Sequence, residues 1–395
     1  MFRSRLAAIA AASLAFVSVA LCGGPASADV PPKLVDPSVI KLAGNLPPLA
    51  AVPAVLSVAD LRHIGRSDVI VADYGATATI SVFLNNADGT FAPAKRYTTG
   101  IQADYVGVGD FNHDGILDLA VTNMTSSTVS VLMGKGDGTF KPAVDYPTGI
   151  GPGALALGDF RHTGNLDMVI SNQEPTLSVL RGNPDGTFQP AQSVSAEGGL
   201  GSGSADAADV YGDGNLSFLR GNYVNDTVQV YRGNRDGSFR PPVYYSTGAL
   251  TPWYGRFQDL RHNGKQDIIF SSLGSSAISV LLNNGDGTYG QPRTYPTGLL
   301  PQCFEFADLR HIGRTDIVQA NLGSNTITVY LGNGDGTFTR GVDVPVGALP
   351  FSVGLADFFH DGKISAVVAN GGDGTISVLH GNGDGTFTPV TTHPA

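Results

Sequence analysis

Asp110, Asn112, Asp114 and Asp118 place four oxygen-bearing side chains within nine residues of the stretch GDFNHDGILDLAV, which begins at Gly109. Counted from Asp110 they fall at loop positions one, three, five and nine, with the backbone carbonyl of Ile116 at position seven and Gly115 permitting a sharp bend. All-oxygen donors at this spacing suit a hard cation that takes six to eight oxygens at about 2.3–2.6 Å, so Ca2+ is the expected cofactor. Without a cation, carboxylates this close repel one another. The plainer alternative is a solvated acidic turn.

Six relatives of this loop occur elsewhere, and they depart from it in an orderly way. The opening aspartates are Asp60, Asp110, Asp159, Asp209, Asp259, Asp308 and Asp357, about 50 residues apart, which makes seven copies. Copies one, three, five and six carry Arg62, Arg161, Arg261 and Arg310 at position three and have no carboxylate at position five, yet keep aspartate at position nine as Asp68, Asp167, Asp267 and Asp316. A guanidinium fork bridging the two remaining aspartates would close such a loop without metal. Copies four and seven keep Asp209 with Asp213 and Asp357 with Asp361, but have Tyr211 and Phe359 at position three and Ser217 and Ser365 at position nine, so each is expected to be a weak metal site at best.

The elements that must carry these loops follow from the same period. In copy three, GALALGDF from Gly153 precedes the loop, and LDMVISN from Leu166 is a nearly continuous apolar run of the kind covered on both faces. TLSVLRGN from Thr176 alternates, Asp185-Gly186 makes a tight reversal, and FQPAQSVS from Phe188 leads outward. Four short strands form a meandering sheet that cannot bury both faces alone. The expected fold is therefore all-β, a seven-bladed β-propeller of four-stranded antiparallel blades. A linear solenoid is the alternative, disfavoured because no polar capping repeat follows copy seven.

GDFNHDGILDLAV, NGDGTF and YPTG, repeated at this step, resemble the FG-GAP/VCBS repeat family, which is related to the propeller head of integrin α chains. The resemblance runs from about Ala51 to Pro389. It implies a propeller with calcium loops between the first two strands of some blades, and it implies little about ligand, because the fold hosts adhesion, lectin-like and lyase proteins alike.

Residues 1–28 read as a signal peptide: Arg3 and Arg5, an apolar stretch from Leu6 to Leu21, then small residues at Ala26 to Ala28. Lipidation at Cys22 is the rival reading, weakened by the bulky Leu21 before it. Residues 29–52 are proline-rich, with PSVIKL at Pro37 to Leu42 a possible ring-closing strand, and 53–395 form the propeller. The expected location is secreted or extracytoplasmic. A net charge of -10 argues against a nucleic-acid partner, and no later run is long and apolar enough to span a membrane.

Chemistry outside the loops is sparse. His63, His113, His162, His262, His311 and His360 share one loop position in six copies, which marks them as structural. No nucleophile elbow, phosphate loop or zinc spacing is present. Copies differ most along the innermost strand. There Asp206, Arg256 and Glu305 of blades four, five and six could meet around the channel, with Trp253 and Tyr254 near its mouth, as a possible site for a sugar or small polar ligand. The plainer reading is that Arg256 neutralises two acids and Trp253 fills space between blades. The leading functional reading is a non-catalytic, calcium-stabilised binding or adhesion module for a surface polysaccharide or protein. The alternatives are a carbohydrate-active lyase or hydrolase with its site at the channel mouth, and a structural cell-surface assembly component.

Overall fold

The computed structural model describes residues 52–196 and 204–394. The expected signal peptide, Cys22 and the possible closing strand at Pro37 to Leu42 lie outside them. Among the described residues, seven four-stranded antiparallel sheets follow one another in chain order, each built from four consecutive strands. Blade one comprises Pro53–Ala59, Asp68–Asp73, Thr79–Phe83 and Lys95–Thr98, and blade seven comprises Pro350–Ala356, Ser365–Asn370, Thr375–Gly381 and Phe387–Pro394. The expected all-β, seven-bladed propeller is what forms.

Strand alternation explains why the ring is necessary. Every second strand is buried along its whole length. Its side chains go to two different cores: in blade one, Ile70 and Ala72 pack with Val106 and Leu119 of blade two, whereas Val69 and Val71 pack with Val367 and Ile376 of blade seven. Seven such cores occur among the described residues, one at each blade junction. A single blade would thus leave both of its apolar faces in water. The outer strands of blades one to five are exposed except for one half-buried residue each, and face solvent.

Blade seven takes all four of its strands from its own repeat, and the ring closes by packing blade one directly against it. Phe358 is fully buried at this junction and meets Phe91 edge to face at 5.8 Å. Its carbonyl accepts from Gly89 N and Asn85 Nδ2, each at 3.3 Å. The same docking repeats at every junction. The glycine of each Asp-Gly turn lies over the position-three side chain of the preceding loop, so that Gly138 covers Arg62, Gly186 covers Asn112, Gly287 covers Tyr211 and Gly89 covers Phe359. A Cβ at Gly89 would collide with the Phe359 ring, and its φ of +79° also favours glycine.

Phe358→Ala empties the closing junction and is expected to cost about 3–4 kcal/mol, read as a lowered denaturation midpoint. Phe359→Ala, on the half-buried side of the same loop, is expected to cost clearly less.

Candidate functional site

The position-one aspartate does the same work in all seven loops: it accepts from the backbone amides four and five residues ahead. Asp60 takes Ile64 N at 3.1 Å and Gly65 N at 2.7 Å, and Asp110 takes Asp114 N at 3.2 Å and Gly115 N at 2.9 Å. The same pairs recur at Asp159, Asp209, Asp259, Asp308 and Asp357. The six loop histidines all adopt φ between 51° and 61°, and blade four has Gly212 at the same place with φ 69°. Histidine is among the residues enriched in this left-handed region, so its recurrence is explained by backbone shape. His113 and His162 also bridge to the next blade through Asn165 and Asn215, at 3.1 and 3.2 Å.

Position nine is where charge matters. This aspartate is buried at the start of the second strand and accepts from the amide that ends the third strand: Asn85 N at 2.9 Å for Asp68, Gly134 N at 2.7 Å for Asp118 and Gly332 N at 2.7 Å for Asp316. Burial pushes the carboxyls of Asp68, Asp118 and Asp267 above their ordinary range. In four blades the position-three arginine supplies the counter-charge. Arg62, Arg161, Arg261 and Arg310 place Nη2 2.7, 2.6, 2.7 and 2.7 Å from the position-nine aspartate. The same Nη2 donates to the carbonyl of Asn85, Gly182, Asn283 or Gly332. The expected bridge between two aspartates is not what forms. Nε and Nη2 both engage position nine, while the position-one oxygens are taken by loop amides.

Blades four and seven solve the problem differently. Position nine is the neutral Ser217 or Ser365, and the remaining position-five carboxylate is paired from the third strand. Arg232 reaches Asp213 at 2.6 Å while stacking 4.1 Å over Tyr211, and His380 reaches Asp361 at 2.9 Å with Lys363 at 3.8 Å. In the two weak candidates, Asp209 with Asp213 and Asp357 with Asp361, the position-five carboxylate therefore already faces a protein cation, Arg232 or Lys363. Both partners lie 19 residues beyond position five, a spacing visible in the sequence once the pairing is known.

Blade two has neither solution. Asp118 keeps the position-nine carboxylate, Asn112 replaces the arginine, and Met133 stands where blades four and seven have Arg232 and His380. Asp118 Oδ2 accepts from Phe111 N at 3.0 Å, and the nearby Asp114 and Asp110 push its carboxyl up further. Asn112 Nδ2 donates to Asp114 Oδ2 at 2.9 Å, and Ile116 N donates to Asp114 Oδ1 at 2.8 Å. Among the described residues no three His, Cys, Asp or Glu side chains converge as a ready-made metal cage. By the chemistry of its donors the loop nevertheless fits a hard cation: three carboxylates, an amide oxygen and the Ile116 carbonyl, with no protein cation paired to them among the described residues.

The channel residues assemble as the innermost strands place them. Arg256, on Pro252–Gln258, sits between Glu305 at 3.1 Å and Asp206 at 3.5 Å, and Asp206 also accepts from Phe257 N at 2.7 Å. The attraction of Glu305, first among several nearby acidic and phenolic groups, holds the Arg256 guanidinium firmly in its charged form, and burial raises the Asp206 carboxyl. Tyr254 lines the channel, but Trp253 packs half-buried among Phe304, Cys303 and their neighbours and does not line it. Tyr105 of blade two lines the cavity and packs against the blade-five and blade-six core, a link that the repeat pattern does not announce.

Arg161→Ala leaves Asp167 buried without a cation and is expected to cost about 3 kcal/mol in chemical denaturation. Adding Asp167→Ser, the residue that blades four and seven use there, should recover most of that loss. Asp104, on the innermost strand Ala103–Gly109 of blade two, offers a second test: burial raises its carboxyl to about 7. The stability lent by its neutral form is complete below the unfolded value of about 4 and is lost as pH rises to about 7. The melting temperature of Asp104→Asn relative to the parent is thus expected to climb by roughly a few degrees between those pH values.

FG-GAP-like repeat models match residues 60–121, 110–170, 159–220 and 308–368, together more than half of the 395 residues. No curated protein sequence matches the chain. Solved structures share the fold at low identity. A putative 6-phosphogluconolactonase from Bacteroides uniformis has a TM-score of 0.65 at 16% identity, covering 82% of this chain and 94% of that one. A protein from Lactobacillus plantarum has a TM-score of 0.61 at 15% identity, covering 87% and 96%. An Agrocybe aegerita lectin, described for specific recognition of non-reducing terminal N-acetylglucosamine, has a TM-score of 0.54 at 21% identity, covering 86% and 94%. These likenesses speak for the fold alone, whereas the repeat matches extend over most of four blades and their loops: the chain belongs to the FG-GAP-like repeat family.

Proposed function

We propose that this protein is an exported, non-catalytic propeller that acts as a binding or adhesion module for a surface polysaccharide or protein, and that one Ca2+ in the blade-two loop rigidifies it. The observation that carries the non-catalytic reading is the row Asp206–Arg256–Glu305. Glycosidic or lyase chemistry needs an acid and a base free to exchange protons with substrate. Here both carboxylates are bound to one guanidinium, and Asp206 is further fixed by the Phe257 amide. Paired polar groups beside the Tyr105 and Tyr254 rings are better suited to holding a ligand than to transferring its protons. The lectin among the similar folds lends the carbohydrate part of this reading a precedent. The signal-like segment before residue 29 supports export, and no described helix is long and apolar enough to cross a membrane.

Calcium enters the proposal through charge balance. Asp110, Asn112, Asp114, Asp118 and the Ile116 carbonyl would hold the ion, which would supply the blade-two loop with the paired positive charge that the other blades obtain from arginine or lysine. A second function class, surface assembly without any ligand, has no observation of its own in its favour.

The binding reading is tested by incubating the mature chain with a glycan panel and assaying both retention and products. Retention with no new reducing ends and no unsaturated uronic products is expected, and either product would overturn the non-catalytic assignment. For calcium, the double change Asn112→Arg with Asp114→Asn rebuilds the blade-five loop. The parent should lose several degrees of melting temperature on chelation while the rebuilt chain should not. A parent indifferent to chelation would remove calcium from the proposal.

A further inference from the structure

Inside the ring of innermost strands lies a cavity of about 510 Å3. Its lining carries three charged side chains, Asp206, Arg256 and Glu305, so the walls bear one net negative charge. The single cation is committed to both acids, and its guanidinium carbon stands 5.9 Å from the Phe306 ring centroid. The channel therefore already stabilises one cation by carboxylates and an aromatic face. The acids retain room for another: Asp206 is 23% and Glu305 33% exposed to the channel water, and a carboxylate offers about four acceptor sites. Asp206 accepts from Ala207 N and Phe257 N and pairs with Arg256, and Glu305 accepts from Arg256 and Phe306 N, which leaves each carboxylate about one acceptor site for a further donor.

An anionic ligand would enter a negative field and find no unpaired cation to receive it. A neutral sugar would gain hydrogen bonds but no Coulomb attraction. An ammonium group brings three donors and a second positive charge to two carboxylates that share a single guanidinium, and the half-buried rings of Tyr105 and Phe306 line the same cavity. We infer that the channel binds a small organic ammonium ion, an aliphatic diamine or an amino sugar, through Glu305 and Asp206. The inference rests on the non-catalytic binding reading and gives it a ligand class. It runs against a substrate rich in uronic acid, whose carboxylates the channel would repel.

The test is titration calorimetry of the whole mature chain in calcium buffer with putrescine, glucosamine, N-acetylglucosamine and succinate. Putrescine or glucosamine should bind, and the affinity should fall about tenfold or more in Glu305→Gln and decline with added salt. Putrescine alone would point to a linear amine, and glucosamine alone to an amino sugar. Asp206→Asn, whose side-chain oxygen can still accept from Phe257 N, serves as the second variant, and the melting temperature of each variant reports on its fold. Failure of both amines to bind, binding unchanged in folded Glu305→Gln and Asp206→Asn, or equal binding of succinate or N-acetylglucosamine in the channel would overturn the inference. Glycan retention in the panel together with silent amines would sink this ligand class and leave the binding module standing.

Discussion

A carboxylate buried at the start of a blade's second strand has to be matched by positive charge or replaced by a neutral residue, and the loops of this propeller are arranged around that requirement. The aspartate is useful because it clamps the end of the third strand to the loop through a backbone amide, as Asp316 does with Gly332 N at 2.7 Å. Its cost is desolvation, which grows once the ring closes and water leaves the junction. Arg62, Arg161, Arg261 and Arg310 meet that cost from two turns of chain away and gain a second anchor on the third-strand carbonyl. Ser217 and Ser365 avoid it by carrying no charge. Asp118 does neither, and that makes blade two chemically different from its neighbours.

Neutralisation and ring closure are coupled through one side chain. The position-three residue that carries the cation in four blades also lies beneath the Asp-Gly turn of the next blade, as Arg161 does under Gly237. A change at position three thus alters both the charge within its blade and the contact between blades. In blade two this residue is Asn112, packed under Gly186 of blade three, so an ion held by Asn112 would stiffen a junction as well as a loop. The last junction, where Phe358 and Phe359 meet blade one, shows that this docking closes the ring with no strand borrowed from another repeat among the described residues.

Much of this was legible in the sequence because repetition turns spacing into geometry. The 50-residue step, the apolar second strand and the Asp-Gly turns each had one structural meaning, and the blades follow it. The exclusion between arginine and the fifth-position carboxylate was also visible, but its cause was not. Which of two aspartates a guanidinium reaches depends on how the loop folds over its own amides, and the loop amides claim Asp60 before Arg62 can. Arg232 and His380 were missed for a related reason: they sit on a different strand, and only the hairpin register brings them beside Asp213 and Asp361. The channel row was readable because equivalent positions on neighbouring innermost strands must be adjacent. Trp253 packs against the core between blades five and six, whereas Tyr254 beside it lines the channel, a division that the sequence does not announce.

The claim at the centre of this account is that blade two alone, among the described residues, has a buried position-nine carboxylate with no protein cation paired to its loop, and so takes a metal ion. Native mass spectrometry of the mature chain in calcium buffer, before and after chelation, addresses it most directly. The account requires one tightly held calcium ion per chain. Two or three would mean that the paired carboxylates of blades four and seven bind metal despite Arg232 and His380, and none would mean that Asp118 is accommodated without a cation. Either result would contradict the charge-matching rule on which this reading of the loops stands.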